Sequence, residues 1–253
     1  MPGAGANAAA KKRLMTAADR LSAACDELRF GEHAAFVYNP LSYARAGYAA
    51  YVDRYGGAPK QVVLVGMNPG PFGMVQTGVP FGHVGLVRDW MGIDVPIGKP
   101  LREHPARPVT GFACTRSEVS GARLWGWARE RFVRPEAFFA DWFVLNFCPL
   151  AFVEKSGRNL TPDRLPMAER TPLLEACERA LAEAVEALQP RWIIGIGGFA
   201  GARVAPLAQR LGIRSGQIPH PSPASPAANR GWSEAAEHAL ARCGIALPSS
   251  GTS

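Results

Sequence analysis

The chain has 253 residues, 47% of them hydrophobic and 19% charged, with a formal net charge of +7. That balance supports one sizeable buried core and excludes intrinsic disorder, collagen and a disulfide-stapled miniprotein. No run approaches the roughly 18 apolar residues of a membrane span, so a soluble protein with no membrane partner is expected. The positive charge is mostly arginine, since lysine stands only at Lys11, Lys12, Lys60, Lys99 and Lys155. It permits a nucleic-acid partner without proving one.

Residues 1–13 begin Gly/Ala-rich and are expected as a disordered tail, followed by a single domain over residues 14–247 and a second tail over 248–253. Leu14, Ala17, Leu21, Ala24 and Leu28 have helical spacing, and a second helix is expected from Ser42 to the Gly56–Gly57 pair. Gln61–Gly66, Asp141–Asn146 and Arg191–Gly198 are short, continuously apolar runs of the kind that form strands buried on both faces. Thr171–Leu188 reads as a long helix with Thr171 as N-cap and Pro172 at its first position. A short strand over Ser215–Pro219 and a helix over Ser233–Gly244 close the domain. Alternating strands and helices give an α/β fold with a four-stranded parallel sheet covered on both faces.

Ligands of such sheets bind beyond the carboxyl ends of the strands, which directs attention to the segments that follow them. After the first strand comes Asn68–Gly82, with glycines at 70, 73, 78 and 82, prolines at 69, 71 and 80, and Phe72 and Phe81 where a surface loop would be polar. Glycine lets backbone approach a ligand and proline restricts the loop beforehand. An aromatic ring there suits stacking on a planar base. Asn146 ends the second strand, either as an amide that pairs along a base edge or as a bulge or capping residue. His220 follows the fourth strand and is stiffened by Pro221, Pro223 and Pro226; a functional and a structural imidazole are both open.

The turn Gly195–Gly201 has the look of a dinucleotide-binding loop, but no acidic residue follows the next strand, so tight helix–strand packing is the expectation. His33, His83, His104 and His238 lack metal-ligand spacing. Cys25, Cys114, Cys148, Cys177 and Cys243 never form C-x-x-C and point to buried free thiols in a reducing cytoplasm. Neither a metal nor a cofactor is expected.

Five segments together resemble the single-strand-selective monofunctional uracil-DNA glycosylases, a branch of the uracil-DNA glycosylase superfamily. They are Gly66–Gly82, Ser117–Trp127, Asn146–Phe152, Ser156–Pro162, and His220–Pro223 with Ala228–Trp232. The resemblance spans about Gln61 to Leu240 and implies a three-layer α/β/α fold with a short central parallel sheet. It implies hydrolysis of the N-glycosidic bond of uracil, and of 5-hydroxymethyluracil, in single- and double-stranded DNA, leaving an abasic site for base excision repair.

Carried over residue by residue, Asn68 holds the attacking water and His220 stabilises the anionic leaving group. Phe81 stacks on the flipped uracil, Asn146 bonds its N3 and O4 edge, backbone at Met67 adds contacts, and Gly70 leaves space beside C5. Ser222, Pro223, Ala224, Ser225, Asn229 and Arg230 are expected to face DNA. Ala224 departs from animal members, which carry a wedge arginine there, and His83 stands where many members have an acid. No lysine falls in any of these motifs, which argues against a Schiff-base lyase step.

The expectation is therefore a monomeric, metal-free repair enzyme of a bacterial cytoplasm, associated with the nucleoid during repair. Three rivals stand beside it: the same scaffold turned to xanthine or hypoxanthine, a noncatalytic nucleic-acid-binding module, and a nucleotide-cofactor enzyme using the Gly195–Gly201 turn.

Overall fold

A computed structural model describes residues 4–248. The chain opens with a 24-residue helix, α1 (Ala4–Glu27), which takes in most of the segment expected as a disordered tail. Tertiary anchors explain the difference. Asn7 Oδ1 accepts the N–H of Ala58 at 3.1 Å, Lys11 pairs with Asp53 and Arg13 with Glu186, and Ala10 and Leu14 are buried. Residues 1–3 and 249–253 of the expected tails lie outside the described residues.

Next come β1 (Phe36–Tyr38), α2 (Pro40–Tyr43), α3 (Arg45–Tyr55), β2 (Val62–Gly66) and α4 (Met74–Thr77). The middle of the chain supplies α5 (Val119–Phe132), α6 (Pro135–Asp141), β3 (Trp142–Asn146), β4 (Ala151–Val153) and β5 (Asn159–Leu160). The remainder is α7 (Met167–Leu188), β6 (Trp192–Ile196), α8 (Gly198–Leu211), β7 (Arg214–Ile218), α9 (Pro226–Asn229) and α10 (Trp232–Arg242).

The expected parallel sheet has the order β3-β2-β6-β7, with β2 and β3 wholly or almost wholly buried. Successive side chains of β3 point to opposite faces. Phe143 stacks on Tyr51 of α3, with ring centroids 4.8 Å apart, while Trp142 meets the edge of Trp127 of α5. Helices α3 and α5 therefore cover opposite faces, which makes the three layers.

A second, antiparallel sheet, β1-β4-β5, gave no signal in the sequence, because strands of two and three residues carry no periodicity. Helix α7 begins at Met167, one turn before the expected Thr171, and carries Pro172 inside it. Its first turn is tied down from outside: Glu169 accepts the N–H of Gly31 and bonds His33, and Arg170 donates to the carbonyl of Asp163. Those contacts outweigh the helical hydrogen bond that the proline forgoes. Cys25, Cys148 and Cys177 are buried free thiols as expected, whereas Cys114 and Cys243 are only half-buried.

Candidate active site

Strands β2 and β3 run in register so that Gly66 faces Asn146 at their carboxyl ends. A Cβ on Gly66 would strike the Phe81 ring and come within 2.6 Å of Asn146 Oδ1. Only glycine lets that ring and that amide converge on the strand end. Phe81 itself has φ +55°, a left-handed conformation that costs a non-glycine residue on the order of 1–3 kcal/mol. The surroundings enforce it. Gly82 N–H bonds the carbonyl of Val79, Trp125 donates to the carbonyl of Pro80, and the backbone of Gly121 in α5 presses on the Phe81 carbonyl.

The His220 ring centroid lies 6.2 Å from that of Phe81. His220 follows β7, and Gly197, with φ +83°, leaves room for it: a Cβ there would sit 3.0 Å from that of His220. The Ser222 N–H donates to Nδ1 of His220 at 3.1 Å, so the proton of the neutral ring is on Nε2. Burial lowers its pKa below the ordinary histidine value, keeping it neutral near pH 7.

Both asparagines are oriented by the protein. Asn68 donates from Nδ2 to the carbonyl of Leu150 at 3.1 Å, which leaves Oδ1 to accept from another partner. Asn146 donates from Nδ2 to Sδ of Met74 at 3.4 Å, while its Oδ1 is buried with no hydrogen-bond partner in the protein. An unsatisfied buried acceptor costs about 1–3 kcal/mol, and a ligand N–H would relieve that cost.

The loop that carries His220 is held by side chains the sequence did not single out. Its prolines have no N–H, and three of its carbonyls receive side-chain donors: Pro219 from Trp232 (2.8 Å), Pro221 from Arg123 (2.9 Å) and Pro223 from Asn229 (2.8 Å). Arg123 also donates to Asn229 Oδ1 at 3.1 Å. The Asn229 amide, expected to face DNA, is thus engaged within the protein through both its donor and its acceptor. Pro223, Ala224 and Arg230 are exposed, with Ser222 and Ser225 half-buried beside them. A sequence cue to Arg123 existed, namely its place inside the Ser117–Trp127 motif.

Met67 is half-buried and its carbonyl accepts the N–H of Cys148 at 2.9 Å. A Cβ on Gly70 would strike the carboxylate of Glu118 at the start of α5, so glycine is required there by close packing. Burial raises the pKa of Glu118, opposed by the backbone N–H groups of Ser120 and Phe72 and by the Ser120 hydroxyl. His83 accepts the N–H of Leu86 on Nδ1, a local contact within its own turn. The Gly195–Gly201 turn is packed shut: a Cβ on Gly195 would strike the backbone of Gly201, and one on Gly201 the side chain of Gln217. Tight helix–strand packing accounts for these glycines.

A ring and a buried, unpaired amide oxygen that meet at Gly66, a neutral imidazole donor beside that ring and an oriented amide in the loop after β2 match the motifs of one family. The uracil DNA glycosylase superfamily model matches residues 54–241. The chain belongs to that superfamily. Within it, the chain is 46% identical over 230 residues to the single-strand selective monofunctional uracil DNA glycosylase of Bos taurus, covering 89% of this chain and 84% of that protein. It is 47% identical over 230 residues to the rat protein of the same name, covering 89% and 82%. These matches place it in the single-strand-selective monofunctional branch. The crystal structure of Pedobacter heparinus SMUG2 shares the fold, with a TM-score of 0.58 at 14% identity over 89% of this chain and 94% of that one.

Proposed function

We propose that this chain is a monofunctional uracil-DNA glycosylase that cleaves the bond between N1 of a flipped uracil and its deoxyribose. The observation that carries the reading is the buried, unpartnered Oδ1 of Asn146 beside the Phe81 ring. A uracil edge offers a donor at N3 and an acceptor at O4, so Oδ1 takes the N3 proton and Nδ2 exchanges a weak sulfur contact for O4. Cytosine presents the opposite polarity and would need the amide reversed, its oxygen then against the Met74 sulfur. Stacking on Phe81 contributes about 1–3 kcal/mol without reading sequence.

As the glycosidic bond breaks, negative charge gathers on uracil O2 and the sugar acquires oxocarbenium character. The neutral Nε2–H of His220 donates to that oxygen, and its benefit grows with the charge. Water completes the hydrolysis by adding to the sugar carbon. An amide is too weak a base to deprotonate that water early, so Asn68 Oδ1 orients it, and the leaving group departs first. The Leu150 carbonyl fixes which atom of the Asn68 amide faces the water.

5-Hydroxymethyluracil is a second proposed substrate, its hydroxyl replacing an ordered water beside C5 that a methyl cannot replace. Flipping costs least in single strands and mispairs, which favours deaminated sites. The product is an abasic site for base excision repair, and the five free cysteines suit work in a reducing cytoplasm. The exposed Ala224 makes a small, uncharged plug for the vacated stack, so product should be released readily.

The test is a panel of single-lesion oligonucleotides, each treated with the protein and then with alkali. Cleavage at uracil and 5-hydroxymethyluracil, with thymine and cytosine intact, is the expected result. Cleavage confined to xanthine or hypoxanthine would reassign the substrate, and binding without cleavage anywhere would make the protein a noncatalytic module.

A further inference from the structure

The loop that holds Asn68 carries an aromatic residue that none of the roles above uses. Phe72 is half-buried, and two guanidinium groups lie over its ring: Arg116 at 4.2 Å and Arg107 at 5.3 Å from the ring centroid. Arg116 is exposed, and among the described residues neither arginine pairs with a carboxylate. Arg107 is anchored by donating from Nε to the carbonyl of Gly157 at 2.9 Å, and Arg116 stands two residues before the Glu118 that lies under Gly70 and Gly73. Arg107 is thereby fixed, and both cations lie over a ring of the loop that carries Asn68.

A guanidinium lying on a ring keeps its N–H donors in its own plane, pointing outward in a rigid fork that matches two oxygens of a phosphate. Stacking reduces the freedom the fork must lose on binding. Two like charges sharing one ring repel each other, and an anion bridging them would turn that repulsion into attraction.

We propose that Arg116 and Arg107, aligned on Phe72, form a clamp for the phosphodiester backbone of the DNA strand that enters the site. The clamp rests on the glycosylase reading above and adds a strand-binding subsite to it. It reads charge and geometry rather than base identity, as phosphate contacts do.

Anisotropy of a labelled single-stranded oligonucleotide bearing a stable abasic-site analogue, followed across salt concentration, tests it. Arg116→Ala is expected to weaken binding about fivefold at moderate salt and to reduce the salt slope by about 0.7, the value for one lost phosphate contact on a single strand. Arg116→Lys should keep most of the slope while losing affinity. Arg107→Ala should act in the same direction, and Arg210→Ala, an exposed arginine in the last turn of α8, should change nothing.

An unchanged slope for Arg116→Ala, or a loss equal to that of Arg210→Ala, overturns the clamp, as does a fall in melting temperature with binding intact. If Arg107→Ala fails to fold, Arg116→Ala alone decides. Wild-type excision is measured alongside, so a protein that binds through the clamp without excising uracil would refute the glycosylase reading and leave the clamp standing.

Discussion

The guanidinium of Arg123 donates to the carbonyl of Pro221 at 2.9 Å, one residue past His220 and from a helix on the far side of the loop. The same guanidinium reaches Asn229, which in turn holds the carbonyl of Pro223. One cation on α5 thus sets where the imidazole and the adjoining turn over residues 222–225 stand relative to Phe81, whose carbonyl is braced by Gly121 of the same helix.

Arg123→Met keeps the stem and removes both hydrogen bonds. Bonds to a charged donor contribute about 1.5–3 kcal/mol, so a fall of roughly 10- to 100-fold in single-turnover rate is expected. The loss should vanish in a His220→Ala background, because a positioning residue has nothing left to position. Additive losses in the double variant would show that Arg123 supports stability alone.

Asn68→Ala is expected to lower the excision rate at least about 100-fold while affinity for uracil-containing DNA stays near wild type, since the role proposed for the amide is to orient water and not the base. Asn68→Asp should stay slow near neutral pH. Its second oxygen would face the Leu150 carbonyl where an N–H now donates, and that repulsion favours the protonated acid. Rate and affinity measured on the same oligonucleotide check both points.

Met74→Leu removes the sulfur that receives the Asn146 N–H while nearly conserving volume. The amide then has no preferred orientation in the free protein. Uracil excision should fall severalfold and discrimination against cytosine should narrow, because choosing between the two depends on which end of the amide meets N3. Competing uracil and cytosine oligonucleotides measure this ratio, and an unchanged ratio would assign amide orientation to other groups.

The pH dependence follows from burial of His220. Its pKa is lowered, so the folded protein holds fewer protons than the unfolded chain just below the ordinary value of 6.5. This group's share of stability is therefore complete above 6.5 and declines as pH falls from there toward the folded pKa. Excision should persist below pH 6.5 and drop only when Nδ1 is protonated and loses its bond from Ser222. The acid limb of the single-turnover pH profile should disappear in His220→Ala, whereas a limb centred at or above 6.5 in the wild type would contradict a buried, neutral imidazole.

The parallel sheet was legible because Val62–Gly66, Trp142–Asn146 and Trp192–Ile196 are apolar on consecutive positions, the mark of strands covered on both faces. Asn146 and His220 stood out because each lies at or just past a strand end, and Phe81 because it is an aromatic in the long loop after β2, all three in motifs that the family shares. Helix α1 was legible from Leu14 onward, but its first turns were hidden, since they owe their order to Asn7, Lys11 and Arg13 contacts with distant residues that nothing local announces. Arg123 and Trp232 lie inside the shared motifs, but their roles were missed because the Pro221 and Pro219 carbonyls they hold are brought near only by folding.

The most direct measurement is a crystal structure of the protein with abasic DNA and free uracil. The account requires uracil N3 within about 3 Å of Asn146 Oδ1, its ring stacked on Phe81, and O2 facing Nε2 of His220. Uracil bound elsewhere, or seated there with Asn146 Oδ1 still unpartnered, would contradict it.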